Sequence, residues 1–198
     1  PAAFRMRTPG VKRTALIIGM ARSGVAAARL LYEDGYRVIV NDMQPEIPGL
    51  AEKLSGVAYE NALGKDPMDL LAGLDLMVLS PVVPIFSSFA VEARRRGIEV
   101  IGEIELGYRY SQGDFICVGG TNGKTTTTAL TGEVFRCGGR RTHVLGNIGV
   151  PISQYARDTR PGDAIVCEVA ALQLESIDRF HARATALLIA EFARRHLT

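Results

Sequence analysis

The chain is poor in cysteine. Cys117, Cys137 and Cys167 are the whole set, an odd number with no Cys-x-x-Cys spacing. That argues against a disulfide framework. Two of the three lie in apolar, strand-like runs, where a free thiol behaves as a small hydrophobe and a reducing compartment suits it. An excess of one charge is also missing. Against 23 Lys and Arg stand 21 Asp and Glu, and a net charge of +2 is too mild to mark nucleic acid or an anionic membrane as the main partner. The basic groups at Arg94, Arg95 and Arg96 and at Arg140 and Arg141 read as solvated helix ends and loops. No apolar run approaches the length that spans a bilayer. The opening "FRMRTPGVKRTALIIGMARSG" has the basic-then-apolar order of a secretion signal, but Arg22 interrupts it and no cleavage-like end follows. Internal repeats and low-complexity tracts are absent as well. What is present is ordinary for a globular protein: 198 residues, 47% apolar and 22% charged. The chain reads as cytoplasmic.

Short apolar runs alternate with helix-like segments. Strands are expected at 15–19, 37–41, 74–79, 99–101, 115–118, 142–145, 164–169 and 185–189. Their runs are continuous, as strands buried on both faces require. Helices are expected at 24–34, 87–96 and 125–137, each stopping at glycine, and the last carries Leu130, Val134 and Cys137 on one face. Strand–helix–strand alternation implies parallel α/β sheets. The polar stretch "GYRYSQGD" at 107–114 reads as a linker, which divides the chain into units at 1–110 and 111–198.

Each unit opens on a glycine turn. In "ALIIGMARSGVAAARLL" the pattern is Gly19-x-Ala21-x-x-Gly24 between a strand and a helix. Ala21 replaces the glycine that lets a backbone approach a pyrophosphate closely. A second strand ends in "VND", which places Asp42 where a carboxylate accepts hydrogen bonds from a sugar diol or a base. Nucleotide binding is favoured, with no preference for nicotinamide. The second turn, "FICVGGTNGKT", is a strand, a glycine loop and a helix start. Small residues leave backbone N–H groups free to face a polyphosphate, and the helix N-terminus adds the positive end of its dipole. Lys124 can reach the terminal phosphates, and the Thr125 hydroxyl can sit on Mg²⁺. Val118 occupies the position of the first glycine of the general phosphate-loop pattern, so "GTNGKT" is a variant of it. A dehydrogenase with nicotinamide in the first turn would leave this loop unexplained. A nucleotide-binding module without catalysis stays open.

After these motifs, a family resemblance can be stated. "GTNGKTT" behind an apolar strand resembles the ATP site of the Mur ligases, the ATP-dependent amino-acid ligases of peptidoglycan synthesis. "SPVVP" (80–84), "GEIEL" (102–106), "GNIGVP" (146–151) and "CEVAALQLE" (167–175) are similar to stretches of the member that adds D-glutamate to UDP-N-acetylmuramoyl-L-alanine, in the same order. The alternative within the family is a sibling ligase for another amino acid. The resemblance implies a Rossmann-like, parallel-sheet domain for the UDP-substrate over 1–110, followed by part of a phosphate-loop ATPase α/β domain over 111–198. It implies an ATP site at Gly120, Thr121, Asn122, Gly123, Lys124, Thr125 and Thr126, with Lys124 and Glu168 catalytic and Thr125 and Glu168 holding Mg²⁺. Arg22, Ser23 and Asp42 would line the uridine diphosphate site, and Asn147 would face the muramoyl group. The implied partners are the two substrates, the protein being a monomer that engages neither nucleic acid nor membrane. There are departures. Val82 stands where the family has glycine, and Ala170 and Ala171 replace small hydroxyl residues. "EFARRHLT" lacks the expected Asp-His segment, with His196 out of register. The carbamylated lysine and the amino-acid-binding domain of the family have no counterpart in these residues. The sequence therefore reads as a fragment that binds its ligands weakly and does not ligate alone.

Overall fold

The computed structural model describes residues 12–188, which leaves His196 and Ile189 outside the described residues. The first sheet is built from β1 (Thr14–Ile18), β2 (Arg37–Asn41), β3 (Tyr59–Asn61), β4 (Leu76–Leu79) and β5 (Glu99–Gly102), in the order β3-β2-β1-β4-β5 and parallel throughout. Helices α1 (Arg22–Glu33), α2 (Leu50–Lys53) and α3 (Ser88–Arg95) connect its strands, and α4 (Glu103–Tyr110) follows β5 without a break. The second sheet, also parallel, comprises β6 (Asp114–Gly120), β7 (Thr142–Gly146), β8 (Ala164–Glu168) and β9 (Ala184–Leu188), in the order β7-β8-β6-β9. With it go α5 (Lys124–Cys137), α6 (Ile152–Tyr155) and α7 (Ala171–Leu174). The α/β class expected from the alternation is the class observed.

The central strands show why their runs are continuous. Ala15, Ile17, Val38, Val40, Leu76 and Val78 pack to one side, with Ala27, Ala28 and Leu31 of α1. Leu16, Ile18, Ile39, Met77 and Leu79 pack to the other, with Ala90 and Ala93 of α3. Successive side chains point to opposite faces, so two covered faces need apolar residues at every position. Each fully buried large aliphatic side chain contributes about 1.5–3 kcal/mol. Cys117 and Cys167 are buried register partners on β6 and β8, and Cys137 is exposed.

Two expectations are corrected. Residues 107–114 are not irregular throughout, because α4 covers Glu103–Tyr110 and β6 begins at Asp114, which leaves 111–113 between them. Glu103, Ile104, Glu105, Leu106 and Gly107 are all buried in it. Polar composition misled here: the charged residues face partners rather than water, with Glu105 Oε1 accepting from Arg109 Nε at 2.6 Å. The apolar residues of α5 also point the other way. Leu130 and Val134 are each 63% exposed, whereas the buried positions are Thr128 and Gly132, where the helix lies close to the sheet. No helix among the described residues is long and apolar enough to cross a membrane.

Candidate functional site

The first glycine turn follows β1 at the point where the strand order reverses, with β2 on one side of β1 and β4 on the other. Crevices at such points, outside the carboxyl ends of parallel strands, are where α/β sheets take ligands. A Cβ on Gly24 would stand 2.0 Å from the Gly19 carbonyl oxygen, so this glycine lets α1 rest directly on the turn. The Met20 amide donates to Asp42 Oδ2 at 2.8 Å and the Gln44 amide to Oδ1 at 3.1 Å. Asp42 thus shapes the turn, and each oxygen keeps a lone pair for a ligand hydroxyl. Ser23 lies half-buried in the first turn of α1. Arg22 is exposed and donates from Nη1 to the Gly149 carbonyl at 2.9 Å, which links this turn to the loop after β7. Val82 is 82% exposed in the turn after β4. A groove of about 520 Å³ runs between α1 and α6, with Arg22 and Ser153 in its walls and no residue of the second glycine loop.

The second loop leaves β6 at Gly120. Thr121, Asn122 and Gly123 are exposed, Gly123 caps α5 with φ of +79°, and α5 begins at Lys124. The first intrahelical bond of the usual type is donated by the Thr127 amide to the Gly123 carbonyl at 3.0 Å. By the nature of a helix start, the amides of Lys124, Thr125 and Thr126 lack acceptors in the helix itself and face outward. Lys124 folds back, its Nζ donating to the Thr121 carbonyl at 3.1 Å. Its charge therefore already lies beside the loop.

Three of the residues expected from sequence meet beside this loop. Thr125 Oγ1 donates to Glu168 Oε2 at 2.9 Å, and Asn147 Nδ2 donates to Glu168 Oε1 at 3.1 Å. The Asn147 amide also donates to the Glu168 carbonyl at 2.9 Å. Glu168 is 3% exposed at the end of β8, adjacent to β6. Among the described residues no group of three or more His, Cys, Asp and Glu could hold a metal. A hydroxyl and a carboxylate are nonetheless the hard oxygen donors that Mg²⁺ takes, and Mg²⁺ commonly completes its shell with phosphate oxygens and water. The donor set fits such an ion held together with a polyphosphate.

Three residues that sequence reasoning left without a role fasten other segments of the fold. The Gln173 side chain accepts from the Ala170 amide at 2.8 Å and holds the turn after β8. Glu105 accepts from the amides of Asp178, Arg179 and Phe180. Glu103 accepts from the Ser153 amide at 2.7 Å. The signal for both glutamates was "GEIEL", visible as a motif but silent on what its carboxylates touch.

Comparison with known proteins shows relatives over most of the chain. Residues 13–102 match the model of the Mur ligase, MurD-like N-terminal domain. The chain is 48% identical over 178 residues to the UDP-N-acetylmuramoylalanine–D-glutamate ligase of Alkaliphilus metalliredigens, covering 87% of this chain and 39% of that protein. It is 43% identical over 187 residues to the enzyme of the same name from Anaeromyxobacter dehalogenans, covering 92% of this chain and 40% of that protein. The chain thus spans about two fifths of the length of the curated relatives it matches. The crystal structure of UDP-N-acetylmuramate:L-alanyl-gamma-D-glutamyl-meso-diaminopimelate ligase from Neisseria meningitides superposes with a TM-score of 0.56 at 20% identity, over 93% of this chain and 62% of that one, and so shares the fold.

Proposed function

Because the chain belongs to the Mur ligase family, we propose that it carries the UDP-substrate unit and the ATP loop of a ligase that joins D-glutamate to UDP-N-acetylmuramoyl-L-alanine. The observation that carries this reading is the meeting of Thr125, Asn147 and Glu168 beside the open loop at 120–124. In the proposed reaction the alanine carboxylate of the nucleotide substrate takes the γ-phosphoryl group of ATP, releasing ADP. The amine of D-glutamate then attacks the acyl carbon, the C–N bond forms, and phosphate leaves. Charge builds on phosphoryl oxygens and then on the acyl oxygen, so the protein's work is positioning and charge stabilisation.

The loop amides and the start of α5 cradle the phosphates, and Lys124 neutralises their far end. Thr125 and Glu168 offer oxygens to Mg²⁺, which would screen the charge between phosphate groups. Asn147, held by Glu168, faces the muramoyl group. Arg22, Ser23 and Asp42 line the uridine diphosphate site. Residues 1–110 and 111–198 divide these two tasks, in a cytoplasmic, monomeric protein. Taken alone, the 198 residues bind the UDP-substrate weakly and ATP poorly, without ligating them.

Calorimetric titration tests this. The chain should bind UDP-N-acetylmuramoyl-L-alanine in preference to NADH, and ATP in preference to GTP. Charge-assisted hydrogen bonds contribute about 1.5–3 kcal/mol, so Lys124→Ala should weaken ATP about 10- to 100-fold. UDP-substrate affinity should stay within about 2-fold, since Lys124 makes no contact assigned to that ligand. Tighter binding of NADH than of the UDP-sugar, or unchanged ATP affinity in Lys124→Ala, would overturn the reading.

A further inference from the structure

The loop bearing Asn147 is fastened from several sides. Within it, the Gly146 amide donates to the Val150 carbonyl at 2.7 Å. Glu168 holds Asn147 from the second sheet, and Arg22 holds Gly149 from the first. Its far end, Pro151, leads straight into α6, and there the fastening is a buried carboxylate. Glu103, 3% exposed, accepts from the Ser153 amide at 2.7 Å and also from the Ile152 amide. Its carbonyl lies 3.5 Å from the Ser153 hydroxyl, which donates to it. Glu103 is the first residue after β5, so it extends the first sheet's frame directly to the segment that ends the Asn147 loop. The contact admits little slack. A Cβ on Gly107, one helical turn on, would come within 2.5 Å of the Ile152 side chain and 2.9 Å of the Ser153 amide.

We infer that Glu103 is a positioning residue: from the end of the first sheet it fixes α6 and the loop before it, and so sets where Asn147 stands against the muramoyl part of the substrate. The inference rests on the function proposed above, in which Asn147 meets that part and the first glycine turn meets the uridine diphosphate. It divides the ligand in two. Disturbing Glu103 should weaken recognition of the sugar beyond the diphosphate and spare the diphosphate itself.

The experiment measures affinities for UDP and for UDP-N-acetylmuramoyl-L-alanine in the chain and in Glu103→Ala, Glu103→Gln and Gly107→Ala, with thermal melting alongside. The chain itself should bind the larger ligand more tightly. Losing one well-placed contact corresponds to about a 10-fold change, so Glu103→Ala should weaken UDP-N-acetylmuramoyl-L-alanine by about that factor while UDP stays within about 2-fold. Glu103→Gln keeps an oxygen acceptor for the α6 amides and should stay within about 3-fold for both ligands. Gly107→Ala pushes α4 from α6 without touching Glu103, and should reproduce the selective loss. It also decides the matter if Glu103→Ala fails to fold. Equal weakening of both ligands, or of neither, would overturn the positioning role while leaving the proposed function intact. A wild-type chain that binds neither, or both equally, would overturn the assignment of Asn147 and the proposed function with it.

Discussion

Gly120→Ala should cost about 3–5 kcal/mol of stability and abolish the ATP binding proposed above, while Gly119→Ala one residue earlier should cost less than about 1 kcal/mol. Both glycines lie at the end of β6, and from sequence they look interchangeable. Gly120 has φ of +131°, a region that residues with a Cβ avoid. A Cβ there would fall 1.9 Å from the Leu188 carbonyl oxygen and 2.7 Å from its carbon. Those are backbone atoms of β9, paired in register with β6, so no rotamer change relieves the overlap. Either β9 separates from β6 or the backbone at 120 turns over, and in both cases the loop at 120–124 loses its starting direction. At Gly119 a Cβ would meet Val169 and Leu187 side chains at 3.5 and 3.6 Å, ordinary contact distances, without a positive φ. Denaturant titration of the two variants, with ATP calorimetry on each, checks the contrast. Equal stability in the two would show that the β6–β9 junction yields more easily than its geometry implies.

How much of this was legible in the sequence follows from what sequence encodes. The central strands could be read because a strand covered on both faces must be apolar at every position, as 15–18 and 76–79 are. Strand β3 was missed because Tyr59, Glu60 and Asn61 occupy a sheet edge with no such demand. Strand β9 was read from its apolar residues although Ala184, Thr185, Ala186 and Leu187 are exposed. The loop at 119–125 was legible as the junction of a strand and a helix, which is the order observed from β6 to α5. The face of α5 was not legible, since the helix approaches the sheet through Thr128 and Gly132 rather than through Leu130 and Val134. The largest miss was α4. In "GEIELGYRY" a polar count suggests a surface, but Glu105 and Arg109 are charged because each answers a buried partner. Such compensation is a property of the folded neighbourhood, and no local pattern records it. For the same reason Thr125, Asn147 and Glu168 could each be nominated from sequence, while their shared hydrogen bonds could not.

Glu105→Ala should destabilise the protein by about 3–5 kcal/mol, the usual result of removing one partner from a buried charge pair. The Glu105 side chain is fully buried, and its two oxygens accept from the amides of Asp178, Arg179 and Phe180 at 2.9–3.1 Å and from Arg109 Nε at 2.6 Å. Removing it leaves those amides without their carboxylate and takes from Arg109, 5% exposed, the buried member of its ion pairs, while the pairs with the more exposed Glu99 and Asp178 stay. The segment at 178–180 would then be held by the Tyr108, Phe115 and Phe180 rings, which meet edge to face at 5.2–5.4 Å. Denaturant titration measures the loss, and pH gives a second test. Burial alone would push the Glu105 carboxyl up, but the amides and Arg109 outweigh it and hold the folded group below its ordinary value. On acidification the unfolded chain therefore takes up the proton first. The contribution of Glu105 is fully present above the ordinary glutamate range and is lost as pH falls through the depressed folded value. Glu103 has the opposite sign: burial pushes it up against the Ser153 and Ile152 amides, so its contribution is present below the ordinary range and is lost as pH rises through the raised folded value. Glu105→Gln should accordingly flatten the acid side of the stability–pH curve and leave the slope above the ordinary glutamate range in place, whereas Glu103→Gln should do the reverse. If both variants flattened the same limb, the two carboxylates of α4 would not be held in opposite electrostatic environments, and the clamp ascribed to Glu105 would have to be abandoned.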